Sequence, residues 1–315
     1  MSDAGTTAGG RVVVVTGPTA AGKTQLAIEI ALRFGGEIVN ADSMQVFRHM
    51  DIGTAKPTLD QRSRVPHHLF DIVTPDVPYS AGRYARDSRE RARAIHDAGH
   101  LVVLTGGTGL YIRSFLAGLI DSGPPDPELR TRLEAEHQRA VREGDRHRLH
   151  ERLRGADPDA AARIHPNDAR RTIRALEILD GAGRSASIVR AEHAFADRPF
   201  EHLHLALDPG RDIVNERIDA RCRAMIDQGL LREVRELRRR YGPDLRPMQA
   251  IGYRHLNPVV DGSDTLANAV VAMQHDTRQF ARRQRTWLRA IDDVTWLDPR
   301  HEKEVLERVE RFLAA

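Results

Sequence analysis

The chain has 315 residues, of which 40% are hydrophobic and 30% are charged, and its formal net charge is +3. Its mean hydropathy is −0.48, and no apolar run approaches the roughly 20 residues that a membrane-spanning helix needs. These values exclude a membrane or disordered chain and predict one large globular domain with room for an inserted module. Residues 1–10 lack the regions of a signal peptide, which predicts a disordered leader on a cytoplasmic protein.

The charged and sulfur-containing residues limit the chemistry further. The single cysteine, Cys222, excludes an internal disulfide framework and a cysteine-based zinc site, and is interpreted as a packing residue. Basic residues are almost all arginine, and they cluster within residues 170–174, 232–240 and 278–289. Each cluster is either a solvated helix face or a surface that binds a polyanion.

Short apolar segments alternate with helical patterns in the first part of the chain. Arg11–Thr16 is a β-branched run typical of a strand that is buried on both faces. Residues 24–34 follow it with helical spacing, and strands are predicted at residues 37–40 and 101–105. This order indicates an α/β fold, with a parallel sheet flanked by helices and ligands at the carboxyl ends of its strands.

The second part of the chain contains a predicted insertion. Residues 121–127, DSGPPDP, are dense in turn formers and mark a boundary. About seventy residues of helical pattern follow, and the alternating run at residues 202–207 then predicts a return to the sheet. Long helices are predicted at residues 211–241 and 265–290. The predicted domains are a leader at 1–10, a core at 11–120 and 200–315, and a mainly helical insertion at 121–199.

A glycine-bearing loop between the first strand and the first helix carries the strongest chemical signal. Its residues match the spacing of a P-loop, which predicts a phosphate-binding site: Gly17, Pro18, Thr19, Ala20, Ala21, Gly22, Lys23 and Thr24. In such a loop backbone N–H groups surround an anion, the lysine adds a positive charge and the Ser/Thr hydroxyl binds Mg²⁺. The position between a strand and a helix supports this interpretation over a chance glycine-rich turn.

The sequence gives a weaker signal for the carboxylate that would help to hold Mg²⁺. In P-loop NTPases this acid ends an apolar strand, but the strand Leu101–Thr105 is followed by Gly106, Gly107, Thr108 and Gly109. Asp42, just after the second strand, is the better candidate for a carboxylate that faces the phosphate site. Asp71 remains an alternative, and Asp42 could instead cap its own turn. His67 and His68 lack metal-site spacing, which favours structural roles.

Several further segments carry a resemblance to one family. They are DSMQVFR at 42–48, MDIGTAKP at 50–57, HHLFDIVTP at 67–75, YSAG at 79–82, GGTGLY at 106–111, HPND at 165–168, RALE at 174–177, QAIGYR at 249–254 and TRQFARRQRTW at 277–287. Together with the P-loop, they make the chain resemble the tRNA dimethylallyltransferases over residues 11–298. Ala21 and Phe47 depart from the residues that the family often has. The chain has no C-terminal zinc module of the kind eukaryotic relatives possess, which implies a bacterial-type enzyme.

The resemblance implies a prenyl transfer that releases diphosphate. A dimethylallyl group would pass from dimethylallyl diphosphate to N6 of adenine 37, beside the anticodon of a tRNA. Asp42 is the predicted base, because an exocyclic amine must lose a proton as its C–N bond forms. Lys23 and Mg²⁺ on Thr24 would stabilise the leaving diphosphate, and the resemblance assigns Arg221 a further contact with it.

The resemblance also implies where tRNA would bind. The target adenine must be flipped out of the anticodon loop to be reached. Predicted tRNA contacts lie in the core and in the insertion: Asp42, Ser43, Met44, Gln45, Thr108, Arg130, Arg170, Arg171, Thr172, Ile173, Arg174, Gln249, Ala250, Ile251, Gly252, Tyr253 and Arg254. The expected partners are the anticodon stem-loop of tRNA and dimethylallyl diphosphate, with no membrane, and the expected state is a monomer.

Two other classes of function remain open from the residues alone. A P-loop nucleotide or small-molecule kinase would use the same loop and the same Mg²⁺ chemistry. A non-catalytic RNA-binding protein would use the arginine clusters and would not need Lys23. The absence of an acid after the strand Leu101–Thr105 and the segment at 42–56 favour prenyl transfer over both.

Overall fold

A computed structural model describes residues 10–118, 126–182, 185, 187 and 199–315. Within these residues, six parallel strands form one sheet in the order β3-β2-β4-β1-β5-β6. Their bounds are β1 Arg11–Thr16, β2 Gly36–Asn40, β3 His67–His68, β4 Leu101–Thr105, β5 Glu201–Leu207 and β6 Val294–Leu297. The predicted α/β fold, a parallel sheet flanked by helices, is confirmed. The predicted leader, apart from residue 10, and most of the turn at 121–127 lie outside the described residues.

Helices connect the strands. Those of the described residues are α1 Lys23–Phe34, α2 Leu59–Arg64, α3 Ala81–Asp97, α4 Gly109–Ala117, α5 Pro127–Arg142, α6 Arg148–Ala156, α7 Pro158–Arg163, α8 Ala169–Ala182, α9 Arg211–Asp227, α10 Leu230–Tyr241, α11 Tyr253–Val260, α12 Leu266–Leu288 and α13 Glu302–Ala314. No helix in these ranges is both long and apolar enough to cross a membrane.

Strand β1 organises the core because both of its faces are buried. Val12 and Val14 point to one side, where they pack with residues of α3, α4, α9 and α12. Val13 and Val15 point to the other side, towards α1 and α13. A strand covered by helices on both faces favours a continuous β-branched run over an alternating one. The sequence VVVV therefore fixes β1 at the centre of the sheet.

Contacts divide the chain into two units, Met1–Ala117 with Arg198–Ala315, and Gly118–Asp197. In the second unit, Asp126 accepts hydrogen bonds from the backbone N–H groups of Glu128 and Leu129 and so caps α5, and Pro127 begins that helix. Leucines and smaller apolar residues from α5, α6, α7 and α8 form its own buried cluster. The described part of this unit is mainly helical, because Asp-Pro pairs start α5 and α7 and its apolar residues recur at helical spacing.

One predicted element was wrong, and two strands were not predicted. The helix predicted at residues 211–241 is two helices, because Gly229 has a φ of 102° and is the N-cap of α10. A left-handed residue inside a helix breaks its hydrogen-bond ladder. The edge strands β3 and β6 were missed, since β3 has two residues and β6 has four, too few for a periodic pattern.

Candidate active site

Three loops meet at the carboxyl edge of the sheet. Strand β4 lies between β1 and β2, so the loops that follow these strands are neighbours. The loop after β4 packs closely on the loop after β2, because a Cβ on Gly106 would lie 2.2 Å from the carbonyl carbon of Ala41. Ser43 N–H donates to Thr108 Oγ1 at 2.9 Å, and Thr108 Oγ1 donates to Ser43 Oγ at 3.2 Å. The P-loop, residues 17–24, follows β1 on the other side.

The P-loop has the backbone geometry that its glycines predict. Gly17 has a φ of 142°, and a Cβ there would lie 2.4 Å from the carbonyl oxygen of Leu207. Gly22 has a φ of 97° and precedes α1, whose N-terminus receives no side-chain cap. The first N–H groups of an uncapped helix are left for an anion. The loop therefore presents backbone donors and the helix dipole to the same point.

A cavity of about 460 Å³ lies beside the P-loop. It brings together the four residues predicted as catalytic, Lys23, Thr24, Asp42 and Arg221. Its lining also includes the apolar residues Ile38, Pro57 and Phe70. One cavity is thus lined by cationic, phosphate-binding groups and by apolar side chains. Such a lining fits an anionic group attached to a hydrocarbon.

The charged groups of the cavity perturb one another. Burial lowers the pKa of Lys23 to about 8, helped by the positive charge of Arg221 and opposed by the negative charge of Asp42. Burial raises the pKa of Asp42, against the hydrogen bond from the Met44 N–H group and the charge of Lys23. Perturbed lysine and carboxylate groups in one cleft are typical of catalytic sites.

Arg221 on α9 is directed at the P-loop. Its Nη2 donates to Thr19 Oγ1 at 2.5 Å, and its buried Nε has no hydrogen-bond partner among the described residues. Burial also lowers the pKa of Arg221. An unpaired buried donor costs about 1 to 3 kcal/mol, which an anionic oxygen would offset. Arg217 lies one helical turn earlier and lines the same cavity.

Asp42 caps its own turn and also faces the cavity. Its backbone N–H donates to Asn40 Oδ1, and its Oδ1 accepts from the Met44 N–H group, both at 2.9 Å. The second bond orients the carboxylate, which also lines the cavity. The interpretation as a turn cap and the interpretation as a site residue therefore both apply to this side chain.

Asp71, the alternative carboxylate, is held in ion pairs with basic side chains. It pairs with Lys56 at 2.6 Å and with Arg62 at 2.7 Å. Burial alone would raise the pKa of Asp71, but the hydrogen bonds from Lys56 and Arg62 outweigh it and lower that pKa. His68 pairs with Glu37, and His67 Nδ1 contacts the carbonyl of Val65 at 2.8 Å. These geometries favour Asp42 as the carboxylate of the cavity.

The residues predicted to contact tRNA fall into groups. Asp42, Ser43, Met44, Gln45 and Thr108 lie together at the sheet edge. In the segment 249–254, Gln249 and Arg254 are exposed, Ala250 and Ile251 are half-buried, and Gly252 and Tyr253 are buried. In the second unit, Arg130 and Arg174 both pair with Glu177, Arg171 pairs with Asp168, and Arg170 is exposed.

Three of the predicted tRNA contacts have side chains that do not reach the surface. Thr172 is 1% exposed, Ile173 is 6% exposed and Tyr253 is fully buried. Thr172 Oγ1 instead donates to the Asp168 carbonyl, Ile173 packs in the apolar cluster of the second unit, and Tyr253 Oη donates to Glu233. Helical periodicity gives the physical reason for the first two, because a run of consecutive residues on a helix cannot face one surface.

Two residues at the site were missed from the sequence. Arg217 could have been found from its i, i+4 spacing with Arg221 on one helix. Gln284 on α12 accepts from the Thr19 N–H group at 2.8 Å and donates to the Gly107 carbonyl at 3.0 Å. No local signal identifies Gln284, since these partners lie 265 and 177 residues away.

A parallel sheet whose first strand leads through a P-loop into a helix defines a P-loop protein of the α/β class. Comparison with known families makes this specific. The model described as IPP transferase matches residues 45–291, and the model described as Isopentenyl transferase matches residues 10–66. The chain belongs to the IPP transferase family.

Individual relatives agree over nearly the whole chain. A tRNA dimethylallyltransferase of Desulfosudis oleivorans is 47% identical over 308 residues, with 96% of both chains covered. A second, tRNA dimethylallyltransferase 2 of Syntrophus aciditrophicus, is 46% identical with the same coverage. Among solved structures, a tRNA isopentenylpyrophosphate transferase from Bacillus halodurans has a TM-score of 0.71 and 35% identity, covering 96% of this chain and 97% of its own. A eukaryotic dimethylallyltransferase acting on tRNA has a TM-score of 0.78 and 28% identity, covering 91% and 73%.

Proposed function

We propose that this chain transfers a dimethylallyl group from dimethylallyl diphosphate to N6 of adenine 37 in tRNA, in the cytoplasm. The observation that carries the proposal is that the P-loop, Arg221 and Asp42 line one cavity. The functions named for its relatives support prenyl transfer over the kinase alternative.

The reaction forms a C–N bond, breaks a C–O bond and moves one proton from nitrogen to a carboxylate. Adenine N6 attacks the first carbon of the dimethylallyl group, the C–O bond to diphosphate breaks, and one N6 proton passes to the carboxylate of Asp42. The raised pKa of Asp42 makes its carboxylate a stronger proton acceptor than an exposed aspartate. Lys23, Arg221 and the free N–H groups at the start of α1 stabilise the charge that gathers on the diphosphate.

The hydroxyl of Thr24 would bind Mg²⁺ at this site. Thr24 lines the cavity next to Lys23. Among the described residues, no group of three His, Cys, Asp or Glu side chains could hold a metal. Mg²⁺ commonly keeps several waters and takes its other ligands from substrate phosphates. Bound by the Thr24 hydroxyl and the diphosphate, it would neutralise charge on the leaving group.

Label transfer tests the proposal. The protein is incubated with Mg²⁺, unmodified tRNA and radiolabelled dimethylallyl diphosphate, and in parallel with radiolabelled ATP. We expect prenyl label in tRNA, release of diphosphate and no phosphoryl transfer. Consumption of ATP with no prenyl label in tRNA would establish a kinase instead.

A further inference from the structure

Gln284 connects two loops of the active site. It lies on α12, and its side chain is 7% exposed. Its Oε1 accepts from the P-loop N–H group of Thr19, and its Nε2 donates to the carbonyl of Gly107. The two bonds need an acceptor and a donor on one side chain, which an amide supplies in a single orientation.

The bond between Gln284 and the P-loop determines which backbone N–H groups of the loop remain free to bind a phosphate. The N–H group of Thr19 is occupied by Gln284, and that of Ala21 donates to the Pro18 carbonyl at 3.2 Å. Arg221 holds the hydroxyl of the same Thr19. Thr19 is thus fixed through its backbone and its side chain, so the anion is left to the N–H groups nearer α1.

The second loop bound by Gln284, at Gly107, lies close to Asp42. A Cβ on Gly107 would lie 2.3 Å from Gln284 Nε2, which leaves no room for it, and 4.0 Å from Asp42 Oδ2, so Gly107 is close to both side chains. Neighbours on α12 hold the helix itself in place. Arg285 forms a double ion pair with Asp208, with bonds of 2.6 and 2.8 Å.

From these contacts we infer that Gln284 is a positioning residue. It sets the distance between the P-loop, which holds the diphosphate, and the loop of Gly107, which lies close to the proton acceptor Asp42. The inference rests on the proposed function, in which one loop holds the leaving group and Asp42 takes the proton. Both must be in place at once in the transition state, whereas each substrate can bind when only its own loop is in place. Loss of Gln284 should therefore lower kcat more than it weakens binding.

Two variants separate the bonds. Gln284→Leu removes both at similar volume, and Gln284→Glu keeps the acceptor for Thr19 but loses the donor to Gly107 when ionised. Gln279→Leu is the matched control, because Gln279 is a half-buried glutamine of the same helix and none of the described hydrogen bonds involves its side chain. All are measured well below their melting temperatures, as single-turnover rates at saturating tRNA and dimethylallyl diphosphate, with binding of inorganic diphosphate by calorimetry.

We expect Gln284→Leu to lower the saturated rate about 10- to 100-fold while diphosphate affinity changes less than about threefold. For Gln284→Glu, the rate relative to wild type should rise as pH falls, since a protonated carboxyl can donate to Gly107. A normal rate in folded Gln284→Leu, or a loss of affinity as large as the loss of rate, overturns the inference. Failure of wild type and Gln279→Leu to label tRNA would overturn the proposed function, and this inference with it.

Discussion

Lys23 lies between the carbonyl groups of its own loop and two charges of opposite sign. Its Nζ donates to the carbonyls of Gly17 at 3.2 Å and Pro18 at 2.9 Å. Arg221 and burial lower its pKa, while Asp42 raises it. The ammonium group is therefore held at the cavity wall, where a diphosphate would be the strongest partner for its charge.

Removing this charge should slow the reaction. Lys23→Ala is expected to cost about 2 to 4 kcal/mol of transition-state stabilisation, comparable to the loss of one preorganised donor. The measurement is kcat/KM for dimethylallyl diphosphate. Lys303→Ala is the control, since that side chain is 92% exposed on α13. Equal activity of the two variants would show that the P-loop is not at the reacting bond.

The lowered pKa of Lys23 also predicts proton uptake on binding. The free group has a pKa of about 8, and a bound diphosphate should raise it, so above that pH binding brings a proton onto Lys23. Affinity for dimethylallyl diphosphate should then fall as pH rises above about 8. Calorimetry in buffers of different ionisation enthalpy measures the uptake. Lys23→Arg, whose guanidinium stays charged, should show none, and equal uptake in both proteins would contradict the assignment.

Individual site residues could be predicted from the sequence where their role depends on residues adjacent in the chain. The P-loop spacing located Lys23 and Thr24, because its glycines and its helix are consecutive in the chain. It could not locate Gln284, whose bonds to Thr19 and Gly107 depend on how α12 packs against the sheet edge. The burial of Tyr253 could not be predicted either, because the residues around it in the sequence do not indicate that its side chain is enclosed.

Glu233 ties α10 to a loop that forms part of the cavity wall. Its carboxylate accepts from the N–H groups of Asp51, Ile52 and Gly53 at 2.8 to 3.1 Å, and from Tyr253 Oη at 2.7 Å. The next residues of the loop, Thr54 and Ala55, line the cavity. One carboxylate thus fixes an element that the active site needs.

Glu233→Ala should destabilise the fold. Three backbone N–H groups and one hydroxyl would lose a charged partner, for which we expect a loss of at least about 2 kcal/mol in the free energy of unfolding. Urea denaturation measures it. The control is Glu236→Ala one turn along, where an exposed carboxylate pairs only at the surface with Arg239 and the change should stay within about 0.5 kcal/mol. Equal losses would show that the bonds to the loop add nothing to stability.

Elements were predictable where the sequence carried a long pattern. Strand β1 contains four consecutive valines and was predicted with its bounds. The break between α9 and α10 depends on the left-handed conformation of Gly229, and a glycine within a helical pattern does not reveal its φ in advance. Strand β6 exists because β5 offers it an edge, and its four residues carry too little pattern to show it.

Binding of tRNA requires a surface of the protein that attracts phosphate groups. In the second unit, Arg170 is exposed, and Arg171 and Arg174 make ion pairs with Asp168 and Glu177. The Arg171–Asp168 pair is partly exposed, so a phosphate can compete for Arg171 at low energetic cost. Glu177 is buried, but it also pairs with Arg130, so it keeps a partner if Arg174 turns to a phosphate. The arginine cluster within residues 170–174 is therefore a candidate for phosphate contacts of the predicted tRNA complex.

Neutralising this cluster should change how tRNA affinity depends on salt. If Arg170, Arg171 and Arg174 each contact a phosphate, replacing all three by glutamine should flatten the slope of log K against log salt by about 2 to 3. Replacing Arg308 and Arg311 on α13 by glutamine is the control and should leave the slope unchanged. A triple variant with the wild-type slope would make the cluster a solvated helix face.

In the proposed reaction, Asp42 takes the proton from the adenine amine in a cavity where the P-loop holds the leaving diphosphate. Asp42→Asn removes this proton acceptor, because the amide keeps the size of the carboxylate and an acceptor for the Met44 N–H group but is a poor base. The measurement is the single-turnover rate of prenyl transfer at saturating tRNA, beside a separate titration of tRNA binding. We predict a rate lower by about 10²- to 10⁴-fold with tRNA affinity nearly unchanged. A normal saturated rate combined with weak tRNA binding would contradict the account and make Asp42 a recognition residue.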